Sequence, residues 1–138
     1  MRGEASVRLG HLEAEVLEWL WDRDWVDVKT THAEIGRARA LSPNTLHSTL
    51  ERLVRKGLAE RERRGRAYVY RTSITRDAWV RESLLRSLEE IPGADPGLLL
   101  AGFVDFAERV DAAGLVELER LVRARRRARR GEGSEDES

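Results

Sequence analysis

Ser42 to Arg71 reads SPNTLHSTLERLVRKGLAERERRGRAYVYR, and this stretch decides the organisation of the chain. Ser42 followed by Pro43 sets a helix start. The serine hydroxyl can accept from a free backbone N–H at the N-cap, and proline in the first helical position forfeits no hydrogen bond. The helix is expected to run to Lys56, with Gly57 where a left-handed C-terminus needs glycine. Leu46, Leu50, Leu53 and Val54 form its apolar stripe, while Asn44, Thr45, Ser48, Arg52 and Arg55 occupy the opposite side. In the following GLAERERRGRAYVYR, charged and aromatic residues alternate around Arg64-Gly65, the pattern of a β-hairpin with RRGR at its tip.

Toward the N-terminus, Leu9, Leu12, Val16, Trp19 and Leu20 recur at helical spacing, with Glu13, Glu15 and Glu18 on the polar side. This first helix is expected to end near Asp24, and the WVDV stretch after it reads as one strand. Thr31 and Glu34 form a capping-box pair opening a short second helix through HAEIGRAR, with Ala33, Ile35 and Ala38 turned inward. Three short helices followed by a hairpin make a winged helix-turn-helix over residues 1–73.

Toward the C-terminus the patterning is helical throughout. Thr75 is placed as an N-cap, with Ile74 and Trp79 as a hydrophobic staple, and Ala78, Leu84, Leu85 and Leu88 supply the buried side of a fourth helix. IPGAD breaks the chain. Asp95-Pro96 opens a fifth helix lined by Leu99, Phe103, Phe106 and Val110, and Asp111 caps a sixth that carries Leu115, Leu118, Leu121 and Val122. These stripes have little of their own to pack against, so residues 74–130 are expected to dimerise, through Leu84, Leu88, Leu99, Phe103, Phe106, Leu118 and Leu121. GEGSEDES at 131–138 has no apolar residue and is expected to be disordered. The fold class is mainly α with a small β-hairpin wing.

The chain has 138 residues, 25 basic and 25 acidic, and no cysteine. Disulfides, thiolate metal sites and cysteine nucleophiles are thereby excluded. No apolar run or signal-like leader supports membrane spanning or secretion, and the expected location is the cytoplasm. Zero net charge conceals a strong asymmetry: residues 32–71 carry ten basic and four acidic groups, a net of plus six, which points to an anionic partner.

Double-stranded DNA fits that partner. A helix with a short polar face can enter the major groove, where Asn44, Thr45 and Ser48 would meet base edges, with Arg52 on the same side among the DNA-binding residues; Ser42 and the free N–H groups beside it suit a phosphate, and in the wing Arg63, Arg64 and Arg66 could lie along the backbone or probe the minor groove. Taken singly these residues are also those of an ordinary solvated surface, and adjacency gives them weight. His47 reads as a surface residue. His11 and His32 are isolated, and no metal or cofactor is assigned. The RARRRARR run at 123–130 reads as the solvated end of the sixth helix, where arginine complements the helix dipole; a second contribution to DNA attraction, offset by the acidic tail that follows, is the other reading. Nothing supports an enzyme: there is no glycine-rich phosphate loop and no activated nucleophile. A winged helix that binds protein is the other reading, and the plus six of the central segment speaks against it.

LEAEVLEWLW, HAEI, SPNTLHSTLERLVRKGLAERERRGRAYVY, LLLAGFVDFAE and VELERLV together resemble the penicillinase and methicillin-resistance repressor family, which also includes copper-responsive repressors. The resemblance spans about Leu9 to Val122. It implies a homodimer with winged helices on an inverted-repeat operator and intertwined C-terminal helices. It also implies release when a membrane-bound sensor metalloprotease pathway leads to cleavage in the dimerisation domain. Two features depart from the family pattern. Copper-responsive members carry a C-terminal cysteine cluster, absent here, and the Asn-Phe pair cut in β-lactam-responsive members is replaced by Gly102-Phe103. A ligand or partner is the other release signal compatible with the sequence.

Overall fold

The computed structural model describes residues 8–135. Helix α1 (His11–Trp21) is followed by strand β1 (Val26–Asp27) and helix α2 (Val28–Thr31), which continues through a widened π-type turn over His32–Gly36 and a tight 3-10 turn over Arg37–Arg39. Helix α3 (Pro43–Arg55), strands β2 (Ala59–Arg64) and β3 (Ala67–Thr72), and helices α4 (Arg76–Glu89), α5 (Pro96–Val110) and α6 (Gly114–Glu135) complete the order. The strands form an antiparallel sheet in the order β1-β3-β2, with Val26 opposite Tyr70 and Arg61 also opposite Tyr70 on its other side.

Val16, Leu17 and Leu20 of α1, Leu46, Leu50 and Leu53 of α3, and Leu58, Ala59 and Tyr70 of the wing form one buried cluster. Glu13 is the exception to the expected face. It is 8% exposed instead of lying on the polar side.

The second helix starts earlier than its sequence suggests. Asp27 is the N-cap, accepting from Thr30 N at 2.7 Å, while Thr31 is interior and donates its hydroxyl to the Asp27 carbonyl at 2.8 Å. Glu34 makes no capping box; it accepts from Trp19 Nε1 at 3.0 Å and Arg23 at 2.9 Å. Thr31 and Gly36 are the buried positions, whereas Ala33 and Ala38 are exposed. Both the earlier start and the π-type turn alter the angular spacing that a regular helix from Thr31 would have.

A Cβ on Gly36 would lie 2.6 Å from Leu46 Cδ1 and 2.7 Å from the His32 ring, so only glycine lets α3 approach this closely. His32 Nε2 donates to the Leu41 carbonyl at 2.9 Å, and Ala40 takes a φ of 55°, turning the chain into α3.

Thr75 caps α4 by accepting from Ala78 N at 3.1 Å. Ile74 and Trp79 pack on the winged-helix core, and Trp21 Nε1 donates to the Ile74 carbonyl at 2.9 Å. The first half of α4 therefore belongs with the N-terminal unit, and the compact units divide at Ser83/Leu84, not at the expected 73/74.

In the C-terminal unit, Asp95 caps α5 (Leu98 N, 3.1 Å) and Asp111 accepts from Ala113 N at 2.8 Å ahead of α6. A Cβ on Gly114 would sit 1.8 Å from the Ala107 carbonyl oxygen, and Ala107 is the buried hydrophobic residue of this unit among the described residues. Leu84, Phe106 and Leu121 are exposed, and Leu88, Leu99, Phe103 and Leu118 are half-buried. Residues 131–135 do not match the expected disorder, because α6 continues through Glu135; 136–138 lie outside the described residues. No helix among the described residues is long and apolar enough to cross a membrane.

Candidate nucleic-acid interface

Helix α3 buries Leu46, Thr49, Leu50 and Leu53 and turns its other side to solvent. Ser42 is its N-cap as expected: Oγ accepts from Thr45 N at 3.1 Å and lies 2.9 Å from Thr45 Oγ1. These two hydroxyls are thus occupied with each other. Asn44 and Ser48 are exposed, one turn apart on the same side, as is Arg55 two turns further on.

Arg52 does not join them. Its Nε donates to Glu13 Oε1 at 3.2 Å and its NH2 group to Thr49 Oγ1 at 3.1 Å, while Lys56 Nζ reaches Glu13 Oε2. Burial alone would raise the Glu13 carboxyl, but Lys56 and Arg52 outweigh it and hold the group below its ordinary value. Arg52, expected among the DNA-facing residues, is instead an internal tie between α3 and α1. The reason is the buried carboxylate, which needs cationic donors more than the surface does.

The wing is a two-residue turn, Gly65-Arg66, with Arg64 paired to Ala67 and Gly65 at a φ of 65°. Glycine in the first turn position matches the right-handed strand twist. Alternation separates the wing's arginines. Arg61 and Arg63 share a face with Tyr68 and Tyr70, whereas Arg64 is on the other, 5.3 Å from the Trp25 ring centroid and 3.7 Å from Glu62. Arg63 Nε donates to the Gly65 carbonyl at 3.2 Å, and Arg66 stands exposed at the tip.

Glu51 joins this face to α3. It accepts from the Tyr70 hydroxyl at 2.6 Å and from Arg61 NH1 at 2.6 Å to each oxygen, and Arg61 stacks 4.5 Å from the Tyr68 ring centroid. Burial would raise Glu51, but Tyr70 and Arg61 hold it below the ordinary carboxylate value; Tyr70 is pushed up by burial and by that same carboxylate. Sequence pattern alone does not single out Glu51 or Arg61; the one signal it offers is that Glu51 is the lone acid of α3.

Much of the central positive charge is consumed by pairing. Arg39 meets Glu15 at 2.6 Å, Arg52 and Lys56 meet Glu13, Arg61 meets Glu51, and Arg71 meets Glu60 and Asp24. Arg37, Arg55, Arg63 and Arg66 make no ion pair among the described residues, and they flank the exposed side of α3 in the chain. No group of three potential metal-ligating His, Asp or Glu side chains occurs among the described residues.

The profile described as "Penicillinase repressor" matches residues 9–124. The transcriptional regulator BlaI of Mycobacterium tuberculosis is 33% identical over 129 residues, covering 93% of this chain and 90% of that protein. The penicillinase repressor of Bacillus licheniformis is 25% identical over 73 residues, 53% of this chain and 57% of that protein. A solved mutant of ZitR from Lactococcus lactis aligns over 90% of this chain and 77% of that chain, at 15% identity and a TM-score of 0.41. The profile covers both compact units, including the capped polar helix and the wing, and the chain therefore belongs to the penicillinase repressor family, a family of transcriptional repressors and not of enzymes.

Proposed function

We propose that this protein is a dimeric, sequence-specific repressor of an inverted-repeat operator in double-stranded DNA. The observation that carries the reading is the division of labour on α3: its leucines are fully buried, its other side exposes Asn44 and Ser48, and Arg63 and Arg66, which make no ion pair among the described residues, stand in the adjoining wing. Asn44 suits bidentate contact with adenine and Ser48 a single base-edge bond. Arg37, Arg55, Arg63 and Arg66 supply phosphate contacts, with Ser42 and Thr45 fixing the helix N-terminus between them.

Dimerisation is supported by the C-terminal unit. Phe106 is 65% exposed and Leu84, Val104 and Leu121 are exposed with it, an apolar surface that a second copy would cover. Release is assigned to scission within α5, the step that a sensor-protease pathway would supply. Gly102 lies exposed inside that helix with open space where a Cβ would be, so nothing in the packing offsets its helix cost of about 1 kcal/mol, and local unwinding is easiest there.

Duplex shift assays with the protein's own promoter and a scrambled duplex test the reading. Asn44→Ala and Ser48→Ala should lose cognate affinity preferentially, by about 1–3 kcal/mol per good base contact. Arg66→Ala should weaken both duplexes alike and reduce the log-log salt slope by about 2 per dimer. If all three variants keep the parental cognate-to-scrambled ratio, α3 is not the reading helix.

A further inference from the structure

Six arginines, Arg123, Arg125, Arg126, Arg127, Arg129 and Arg130, fill eight residues of α6 without one acid. The helix dipole does not account for them. Because α6 runs on to Glu135, its last turn contains no basic residue, and the dipole's effect fades beyond that turn. Ion pairing accounts for one: Arg123 meets Glu119 at 2.5 Å, while the other five make no ion pair among the described residues. Arg123 with Arg127, Arg125 with Arg129, and Arg126 with Arg130 are like-charge neighbours four residues apart, which destabilises a helix.

Arg123, Arg126, Arg127 and Arg130 line one open groove, a stripe about 10 Å long at helical rise. Its chemistry selects the ligand. The stretch holds no bulky apolar residue, only Ala124 and Ala128, so it lacks the face that seats a helix in a lipid surface. It has no aromatic ring on which unpaired bases could stack. A row of guanidinium groups without shape or apolar content fits regularly spaced phosphates, which arginine binds bidentately.

We propose that the arginine face of α6 is a second, sequence-independent DNA site that holds the phosphate backbone of duplex. It rests on the DNA-binding reading of α3 and the wing, and adds to it a contact that no base specifies. Beyond Arg130 the helix continues through Glu135, so the backbone of 131–135 leads away from the stripe.

The test measures affinity against salt for the full chain on the operator alone and on the operator with long flanks. The variants are Arg126→Ala, Arg127→Ala and Arg130→Ala combined, and the same three positions changed to lysine. Alanine is the strongest helix former, so α6 is retained. The parent should bind the flanked duplex more tightly and with a steeper salt slope than the trimmed one. The alanine set should lose that difference, with a slope shallower by about 5 per dimer if each arginine meets one phosphate, and the lysine set should keep it. An alanine set indistinguishable from a parent that still discriminates its operator overturns this inference and leaves the α3 reading intact. So does a lysine set as weak as alanine, or a loss confined to duplex RNA or anionic vesicles. A parent that binds no duplex at all overturns both.

Discussion

The hydroxyl of Tyr70 donates to Glu51 Oε1 at 2.6 Å, which fixes the middle strand of the sheet to the helix that presents Asn44 and Ser48. Arg61 binds the same carboxylate from β2. One acid thus ties both wing strands to α3, beside the packing of Leu58, Ala59 and Tyr70 against the α3 leucines.

Glu51→Ala should destabilise the protein by about 1–3 kcal/mol, because the buried Tyr70 hydroxyl loses its acceptor. Tyr70→Phe removes donor and penalty together and should cost about 1 kcal/mol. Urea unfolding of the two single variants and the double variant gives the coupling; additive effects would show that the bond does not link wing and helix. The Glu51 variant should also bind operator more weakly despite retaining every exposed polar residue of α3.

Stability should fall in acid. Burial opposes the lowered values of Glu13 and Glu51 but is outweighed by their partners, and Asp27 is lowered chiefly by its bonds from Thr30. Each folded value lies below its unfolded one, so the stabilisation is present above the ordinary value, 4.5 for the glutamates, and is lost as pH falls through the folded value. Unfolding midpoints taken from neutral pH downward should drop in that window, and Glu13→Gln should flatten the drop. A parent equally stable on both sides of the window would contradict the assignment.

Three glycines should respond differently to alanine. Gly114→Ala places a Cβ 1.8 Å from the Ala107 carbonyl oxygen and should disrupt the α5–α6 contact outright. Gly36→Ala meets the movable side chains of Leu46 and His32 and should cost about 1–3 kcal/mol. Gly102→Ala meets nothing and should stabilise α5 by roughly 0.5–1 kcal/mol. Thermal melts order the three, and limited proteolysis should show α5 cut more slowly in the Gly102 variant.

Phe106→Ser, and separately a chain ending at Gly102, should sediment as monomers and bind each half-site alone. Loss of the linked second site reduces apparent operator affinity by about 10² to 10⁴ without touching a DNA contact of α3 or the wing; the truncated chain also lacks the α6 arginines, so Phe106→Ser isolates the effect of dimerisation. A truncated chain that stays dimeric and binds the full operator as tightly as the parent would assign release to a ligand or partner.

Local chemistry made much of this legible. Ser42, Thr75 and Asp95 cap as their sequence neighbourhoods require, Gly57 and Gly65 take positive φ, and the leucines of α3 are buried. Where expectation failed, a competing partner had intervened, near in the chain or far from it. Thr31 looks like a cap until Asp27 takes that place, and Glu34 looks like its partner until Trp19 and Arg23 claim it. Arg52 sits on the exposed side of α3 by angle alone, yet bonds a carboxylate 39 residues away.

By itself the sequence determined the order of the elements, the caps at Ser42, Thr75 and Asp95 and the polar character of α3, since hydrophobic period, capping hydroxyls and glycine conformations act within a few residues. Only the tertiary structure decided which arginines are free. Long charged side chains reach several neighbours, and they settle on a partly buried carboxylate because leaving it unpaired costs more than leaving a cation in water. Glu13 takes Arg52 and Lys56, Glu51 takes Arg61, and the arginines of residues 32–71 without an ion pair among the described residues, Arg37, Arg55, Arg63 and Arg66, are what packing left over.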